Sequence, residues 1–150
     1  MSMTREQLWS QLSAIEPEEG IYDGIGSDEI PLLEELLHDN ESWVASRAVF
    51  ALSTLSDAVA VALLSQASSD PRPEVRVALA ASMRNLDAQV ASNILAVLLD
   101  DPTLGVRKFA VHSVSRVHDP GVRHKLQTLE TEDPEPAIRD LAKSKLRELQ

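Results

Sequence analysis

Four histidines are the residues that could most readily bind a metal ion or carry a proton at neutral pH. They are His38, His112, His118 and His124. Two metal ligands on one helical face need a spacing of three or four residues, whereas the last three histidines lie six residues apart. The chain has no cysteine, so thiolate metal sites, cysteine nucleophiles and disulfides are excluded as well. The sequence therefore predicts no metal ion and no other cofactor.

The motifs of common catalytic sites are also missing from the sequence. The five glycines form no phosphate-binding loop, and no serine lies in a G-x-S-x-G turn. We therefore expect a protein that is not an enzyme.

The charged residues that do recur follow a fixed pattern. The segments DPRPEVR at 70–76, DPTLGVR at 101–107 and DPEPAIR at 133–139 are spaced by 31 and then 32 residues. A weaker copy begins at Asp39, which lacks the proline and has Ala45 where the other copies have arginine. Self-similarity at a period of this length is typical of a repeat protein.

Apolar residues recur with the same period. One column is Leu33, Leu64, Leu95 and Leu126, a second is Leu36, Ala67, Leu98 and Leu129, and a third is Leu55, Leu86, Val117 and Leu149. Within each unit the apolar spacing is helical, which indicates a helix A of about 15 residues after the Asp-Pro pair and a shorter helix B. Stacked hairpins of this kind share one interior, so we expect an all-α α-solenoid of about nine helices.

The chain start is not part of this periodic array. Thr4 and Gln7 are spaced as in a capping box, which predicts a helix through about Ile15 with Leu8, Trp9 and Leu12 available for packing. The segment 17–26 contains three of the five glycines and is expected to be a loop. We therefore divide a single domain, 1–150, into a capping helix and loop at 1–27 and repeats at 28–149.

The D-P-x-x-x-V-R pattern followed by a small residue resembles HEAT repeats, particularly the short bacterial kind also found in phycobilisome bilin-lyase proteins. The resemblance implies that the turn aspartates and helix-A arginines form a hydrogen-bonded ladder between repeats, made of Asp70, Arg76, Asp101, Arg107, Asp133 and Arg139. Ala45 implies that this ladder stops at the first full unit. Some HEAT proteins, such as deoxyhypusine hydroxylase, bind iron through His-Glu pairs after the repeated arginine. This chain has no such pairs.

Charge and composition restrict the class of partner. Residues 1–70 carry 13 acidic and 2 basic residues, while residues 71–150 carry 11 and 12. An acidic half of this kind either keeps the protein in solution or attracts a basic partner. The acidic net charge of −10 and the 3% aromatic content argue against nucleic-acid binding. A basic face on the second half stays an alternative, from Lys108, Arg116, Arg123, Lys125, Lys143, Lys145 and Arg147.

The outward face of the B helices is the candidate binding surface, because the B helices line the concave side in HEAT solenoids. We call this surface the ridge and assign to it Glu34, His38, Ser65, Ser69, Asn93, Asp100, His124 and Gln127.

Trp43 is expected to pack against the start of a helix A, with an exposed interface anchor as the alternative. The sequence favours a non-catalytic adaptor, scaffold or chaperone-like module that binds another protein of unknown identity. A lyase-like or cofactor-attachment subunit is the second hypothesis. The chain has no apolar stretch that could span a membrane or serve as a signal peptide, so we expect a cytoplasmic protein. Its oligomeric state is left open.

Overall fold

The described chain consists of helices joined by short turns. The computed structural model describes residues 2–13, 22–115 and 119–150, and in these ranges it contains no strand. The nine helices described are α1 Arg5–Leu12, α2 Ile30–Leu37, α3 Ser42–Ser53, α4 Ala58–Ala67, α5 Pro73–Ser82, α6 Ala88–Leu98, α7 Leu104–Ser113, α8 Pro120–Glu132 and α9 Pro136–Glu148. The predicted all-α solenoid is confirmed.

Helices of the same type stack on one another. The A helices are α3, α5, α7 and α9, and each packs against the next A helix in the chain. The B helices are α2, α4, α6 and α8, and each lies against a neighbouring A helix in a helical hairpin. None of the described helices has both the length and the apolar character needed to cross a lipid bilayer.

The first two apolar columns form the shared interior of this stack. Every member of the first column, from Leu33 to Leu126, has no exposed surface. The second column, from Leu36 to Leu129, is buried as well. In the third column Leu55 is buried, Leu86 and Leu149 are partly exposed, and Val117 lies outside the described residues. The 31-residue period therefore identifies the core, and the third column lies at its edge.

The A helices are shorter than the predicted 15 residues, and only α3, with 12 residues against 10 in α4, is longer than the B helix that follows it. Helices α5 and α7 have 10 residues each, whereas α6 has 11 and α8 has 13. After α5 the chain forms a 3-10 turn at Met83–Asn85, and Leu86 is extended. Asp87 then caps α6 from a non-helical backbone conformation. The residues before such a cap must leave the helix, which shortens helix A.

The N-terminal capping box forms as predicted. Thr4 Oγ1 accepts from the Gln7 backbone N–H at 3.1 Å, and the Gln7 side chain accepts from the Thr4 N–H at 2.9 Å. Helix α1 packs on α3 through the buried Leu8 and Leu12. The predicted extension to Ile15 and half of the predicted loop, at 17–21, lie outside the described residues.

A buried carboxylate connects this N-terminal segment to the repeats. Glu29 is 2% exposed and ends a 3-10 turn, Ser27–Glu29, that leads into α2. It accepts from the backbone N–H groups of Met3, at 2.9 Å, and Gly26, at 2.6 Å. The hydrogen bond from Met3, with that from Gly26, lowers the pKa of Glu29 against the opposing effect of desolvation.

Candidate partner-binding surface

The four turn aspartates shape the entry to each A helix. In Asp39, Asp70, Asp101 and Asp133 the carboxylate Oδ1 accepts from the backbone N–H two residues later, at 2.8 to 2.9 Å. The residue that donates this bond is itself the N-cap of the helix. These aspartates therefore form Asx turns before the helices and leave one carboxylate oxygen facing other groups. Asp39 forms the same turn without a following proline.

The arginine of one repeat reaches the turn aspartate of the next. Arg76 Nε lies 2.8 Å from Asp101 Oδ2, and Arg76 Nη2 donates to Thr103 Oγ1 at 3.1 Å. Its Nη1 donates back to the Asp70 carbonyl at 2.7 Å. One guanidinium thus fastens two successive turns, which fixes the offset between two repeats.

Each such arginine–aspartate contact between repeats is one rung of the ladder. The next rung, from Arg107 to Asp133, has the same geometry as the first and is more deeply buried. Arg107 Nε donates to Asp133 Oδ2 at 2.8 Å, and Nη2 donates to Oδ1 at 3.2 Å. Nη1 donates to the carbonyls of Asp101 and Pro102, each at 3.1 Å. Arg107 is 9% exposed and Asp133 is 5% exposed. A fork-to-fork pair at this depth is directional and costly to disrupt.

Arg72 occupies the rung that Ala45 leaves without an arginine. Its Nε and Nη2 each lie 3.0 Å from an oxygen of the Asp70 carboxylate. Nη1 donates to the Asp39 carbonyl at 2.5 Å, as Arg76 does to the Asp70 carbonyl one repeat later. Burial would raise the pKa of Asp70, but the hydrogen bonds from Arg72 outweigh it and lower that pKa. The expectation that the ladder stops at Ala45 missed this substitution, because Arg72 comes from a different position of the repeat.

Arg139 is the last arginine of the series. Its Nη1 donates to the Asp133 carbonyl at 2.6 Å, as Arg76 Nη1 does to the Asp70 carbonyl. Within the described residues, Arg139 therefore shares with Arg76 and Arg107 the hydrogen bond to the carbonyl of its own turn aspartate.

The eight ridge residues are all exposed. Glu34, Ser65 and Asn93 lie within α2, α4 and α6, and both His124 and Gln127 lie within α8. Of the other three, His38 follows directly after the end of α2, and Ser69 and Asp100 lie two residues past the ends of α4 and α6. The set therefore extends over four successive hairpins.

A second exposed column runs beside the ridge, and the sequence interpretation did not single it out. It consists of Glu35, Gln66, Val97 and Thr128, which are 31 residues apart and all exposed. Val97 is 54% exposed and lines an open depression of about 530 Å³ together with Ala96 and Asp100. Asp100 forms an ion pair with Lys125 of α8 at the same place. The 31-residue period could have identified this column.

The three histidines that the structure describes lie on different helices or turns and form no cluster there. Within the described ranges no three histidine or carboxylate side chains form a group that could hold a metal ion. His118 lies outside those ranges. His38 and His124 belong to the ridge, whereas His112 is exposed on the A helix α7.

Several cations of the second half are engaged in contacts within the chain. Lys125 pairs with Asp100, Lys145 lies 3.2 Å from Glu148, and Arg123 donates to the Leu149 carbonyl at 3.3 Å. Arg116, another member of the predicted basic face, lies outside the described residues. The two ion pairs offset the charges of Lys125 and Lys145, whereas Arg123 keeps its charge.

Trp43 is less enclosed than the sequence interpretation favoured. It is 43% exposed and packs against Trp9 of α1, with ring centroids 5.8 Å apart and an interplanar angle of 56°. The two residues that follow it, Val44 and Ala45, are buried. Trp43 therefore packs against α1, outside the repeat, and keeps part of its surface in solvent.

Comparison with known proteins agrees with this geometry. The family model for HEAT repeats matches residues 29–104 and 60–147. A structure of the complex of CpcE and CpcF of phycocyanin lyase from Nostoc sp. PCC7120 is similar to this chain, with a TM-score of 0.63 and 20% identity, covering 80% of this chain and 81% of that one. A designed armadillo repeat protein in complex with the peptide (KR)4 has a TM-score of 0.60 and 17% identity, covering 97% of this chain and 75% of that one. No curated protein matches the sequence. The family match extends over more than half of the residues, so the chain belongs to the HEAT-repeat family.

Proposed function

We propose that this chain is a non-catalytic protein-binding module, an adaptor, scaffold or chaperone-like protein, whose ridge contacts the partner. The observation that carries the proposal is the exposure of all eight ridge residues on four successive hairpins. The Arg–Asp ladder holds these hairpins at a fixed offset, which lowers the entropy cost of ordering a binding surface.

The partner we propose carries a basic segment. Residues 1–70 hold 13 acidic and 2 basic residues, so their field attracts cations. A repeat protein of the same fold binds a peptide of alternating lysine and arginine, which shows that such a scaffold can present a surface for a basic chain. Electrostatic attraction of this kind weakens as salt concentration rises.

Affinity purification from the native source, followed by mass spectrometry, tests the proposal. We expect the wild-type chain to recover a specific protein at physiological salt. An Asn93→Arg variant places a bulky cation on the ridge and should lose that protein. A Ser144→Arg variant adds the same charge on the exposed face of α9 and should retain it. Recovery of no specific protein, or equal recovery by both variants, would count against the ridge.

A lyase-like or cofactor-attachment subunit is the second candidate. The similarity in fold to the complex of CpcE and CpcF of phycocyanin lyase motivates it. A chain of this type should shift the absorbance spectrum of an added tetrapyrrole, alone or with a second subunit. An unchanged spectrum would remove this candidate and leave the first untouched.

A further inference from the structure

The two tryptophans of the chain form one exposed aromatic pair. Trp9 is 37% exposed and Trp43 is 43% exposed, although tryptophan is on average a strongly buried residue. Both rings lie where α1 meets the start of α3. At the equivalent position of the next repeats the sequence has Glu74, Gly105 and Ala137, so this pair belongs to the first hairpin alone.

Docking of α1 on the repeats does not account for this exposure. Leu8 and Leu12 already bury one face of α1 against the core. Arg47 Nη1 donates to the Leu12 carbonyl at 2.9 Å, and the Gln11 side chain donates to the Asp23 carbonyl at 2.7 Å. These contacts hold the end of α1 to α3 and to Asp23, while the tryptophans keep more than a third of their surface in solvent.

The surroundings of the pair carry more acidic than basic groups, and the guanidinium of Arg72 at the Asp39 carbonyl is itself paired with Asp70. An open depression of about 360 Å³ beside Trp9 is lined by Glu6, Asp39 and Arg5. The charge of Arg5 is offset by Glu35, whose carboxylate lies 3.3 Å from Arg5 Nε. Glu41, the N-cap of α3, precedes Trp43 by two residues. Carboxylates beside the electron-rich faces of aromatic rings create a favourable place for a cation.

We propose that Trp9 and Trp43, with Glu6 and Asp39, bind a lysine or arginine side chain of a basic protein segment. The ring faces supply a cation–π contact and the two carboxylates supply charge. A segment without a cationic side chain can make neither the cation–π contact nor the ion pair with the carboxylates. This site rests on the proposed function, because it requires a protein partner, but it lies at the first hairpin's turn and not on the ridge.

Intrinsic fluorescence tests the site, because both tryptophans of the chain belong to it. The probe is a synthetic octapeptide of alternating lysine and arginine, titrated into the full chain at low and at physiological salt. We expect a saturable change in tryptophan emission that weakens with salt, and no change with an octapeptide of alternating serine and glutamate, which has no cationic side chain. The double variant Glu6→Gln with Asp39→Asn keeps both tryptophan rings, and the new asparagine side-chain oxygen can still accept from the Glu41 N–H as Asp39 does. It should raise the dissociation constant for the octapeptide about fivefold or more.

The matched control removes two exposed carboxylates at the other end of the stack, through Glu132→Gln with Glu135→Gln. This variant should bind the octapeptide as the wild type does. An unchanged emission, or an equal loss of affinity in the two double variants, overturns the site. Calorimetric binding of the octapeptide without a change in emission also overturns it, and would leave the ridge as the surface that binds basic segments. Circular dichroism of each variant verifies that the helices are intact.

Discussion

Replacing Arg107 with methionine should strongly destabilise the stack of repeats, because it leaves the buried carboxylate of Asp133 without its ion-pair partner. Asp133 is 5% exposed, and Arg107 donates two hydrogen bonds to its carboxylate. The same guanidinium also satisfies the carbonyls of Asp101 and Pro102. Methionine preserves much of the side-chain length and apolar contact, so the loss reports the charged group.

The magnitude follows from the depth of the pair. Removing one member of a buried ion pair typically costs about 3 to 5 kcal/mol, since the other charge stays buried and uncompensated. A domain of this kind has a free energy of unfolding of about 5 to 15 kcal/mol. At about 3 °C per kcal/mol for a chain of this length, the melting temperature should fall by about 10 to 15 °C.

Urea denaturation followed by circular dichroism at 222 nm measures the effect. Arg84→Met, at an exposed arginine, is the control and should change stability by less than about 0.5 kcal/mol. The double variant Arg107→Met with Asp133→Asn removes both charges and keeps an acceptor for the Glu135 N–H, so it should recover part of the loss. A loss below about 1 kcal/mol for Arg107→Met, or additive losses in the double variant, would refute the role given to the ladder.

Three further changes test other parts of the account. Leu95→Ala in the core column should cost about 2 to 5 kcal/mol by urea denaturation, whereas Val97→Ala, at an exposed position, should cost less than about 0.5 kcal/mol; equal losses would contradict the assigned faces. Arg72→Met should cost about 1.5 to 3 kcal/mol, less than Arg107→Met because its pair with Asp70 is more exposed, and an effect no larger than that of Arg84→Met would mean that Arg72 is not a rung. The pKa of Glu29 is lowered by its hydrogen bond from Met3, so its contribution to stability is present above the ordinary carboxyl pKa and is lost as pH falls through the lowered folded pKa. The difference in free energy of unfolding between wild type and Glu29→Gln should therefore shrink below about pH 4, and a pH-independent difference would contradict this.

Most of the fold could be predicted from the 31-residue period, because the apolar residues that recur with this period are the buried ones. Leu33 and Leu126 are 93 residues apart, yet both follow from the same spacing and both are fully buried. A buried column must recur once per hairpin if each hairpin contacts only its neighbours. The helix lengths could not be obtained this way, because they depend on the backbone turn before caps such as Asp87.

Features that break the period were the ones the sequence could not place. Arg72 supplies a guanidinium to the first rung from another position of its repeat, so a search for arginine at position 45 misses it. Trp43 packs against α1, whose placement no repeat spacing determines. The exposure of the ridge residues followed from the helical wheel. Whether the ridge binds a partner depends on a second molecule, and its position on the wheel carries no such information.

Site-specific photo-crosslinking tests the proposed ridge most directly. His124 on α8 and His112 on α7 are both exposed, the first on the ridge and the second on an A helix. We expect a photoreactive side chain at position 124 to form a covalent adduct with the partner, and the same side chain at position 112 to form none. Adducts from position 112 alone, or equally from both positions, would contradict binding through the B helices.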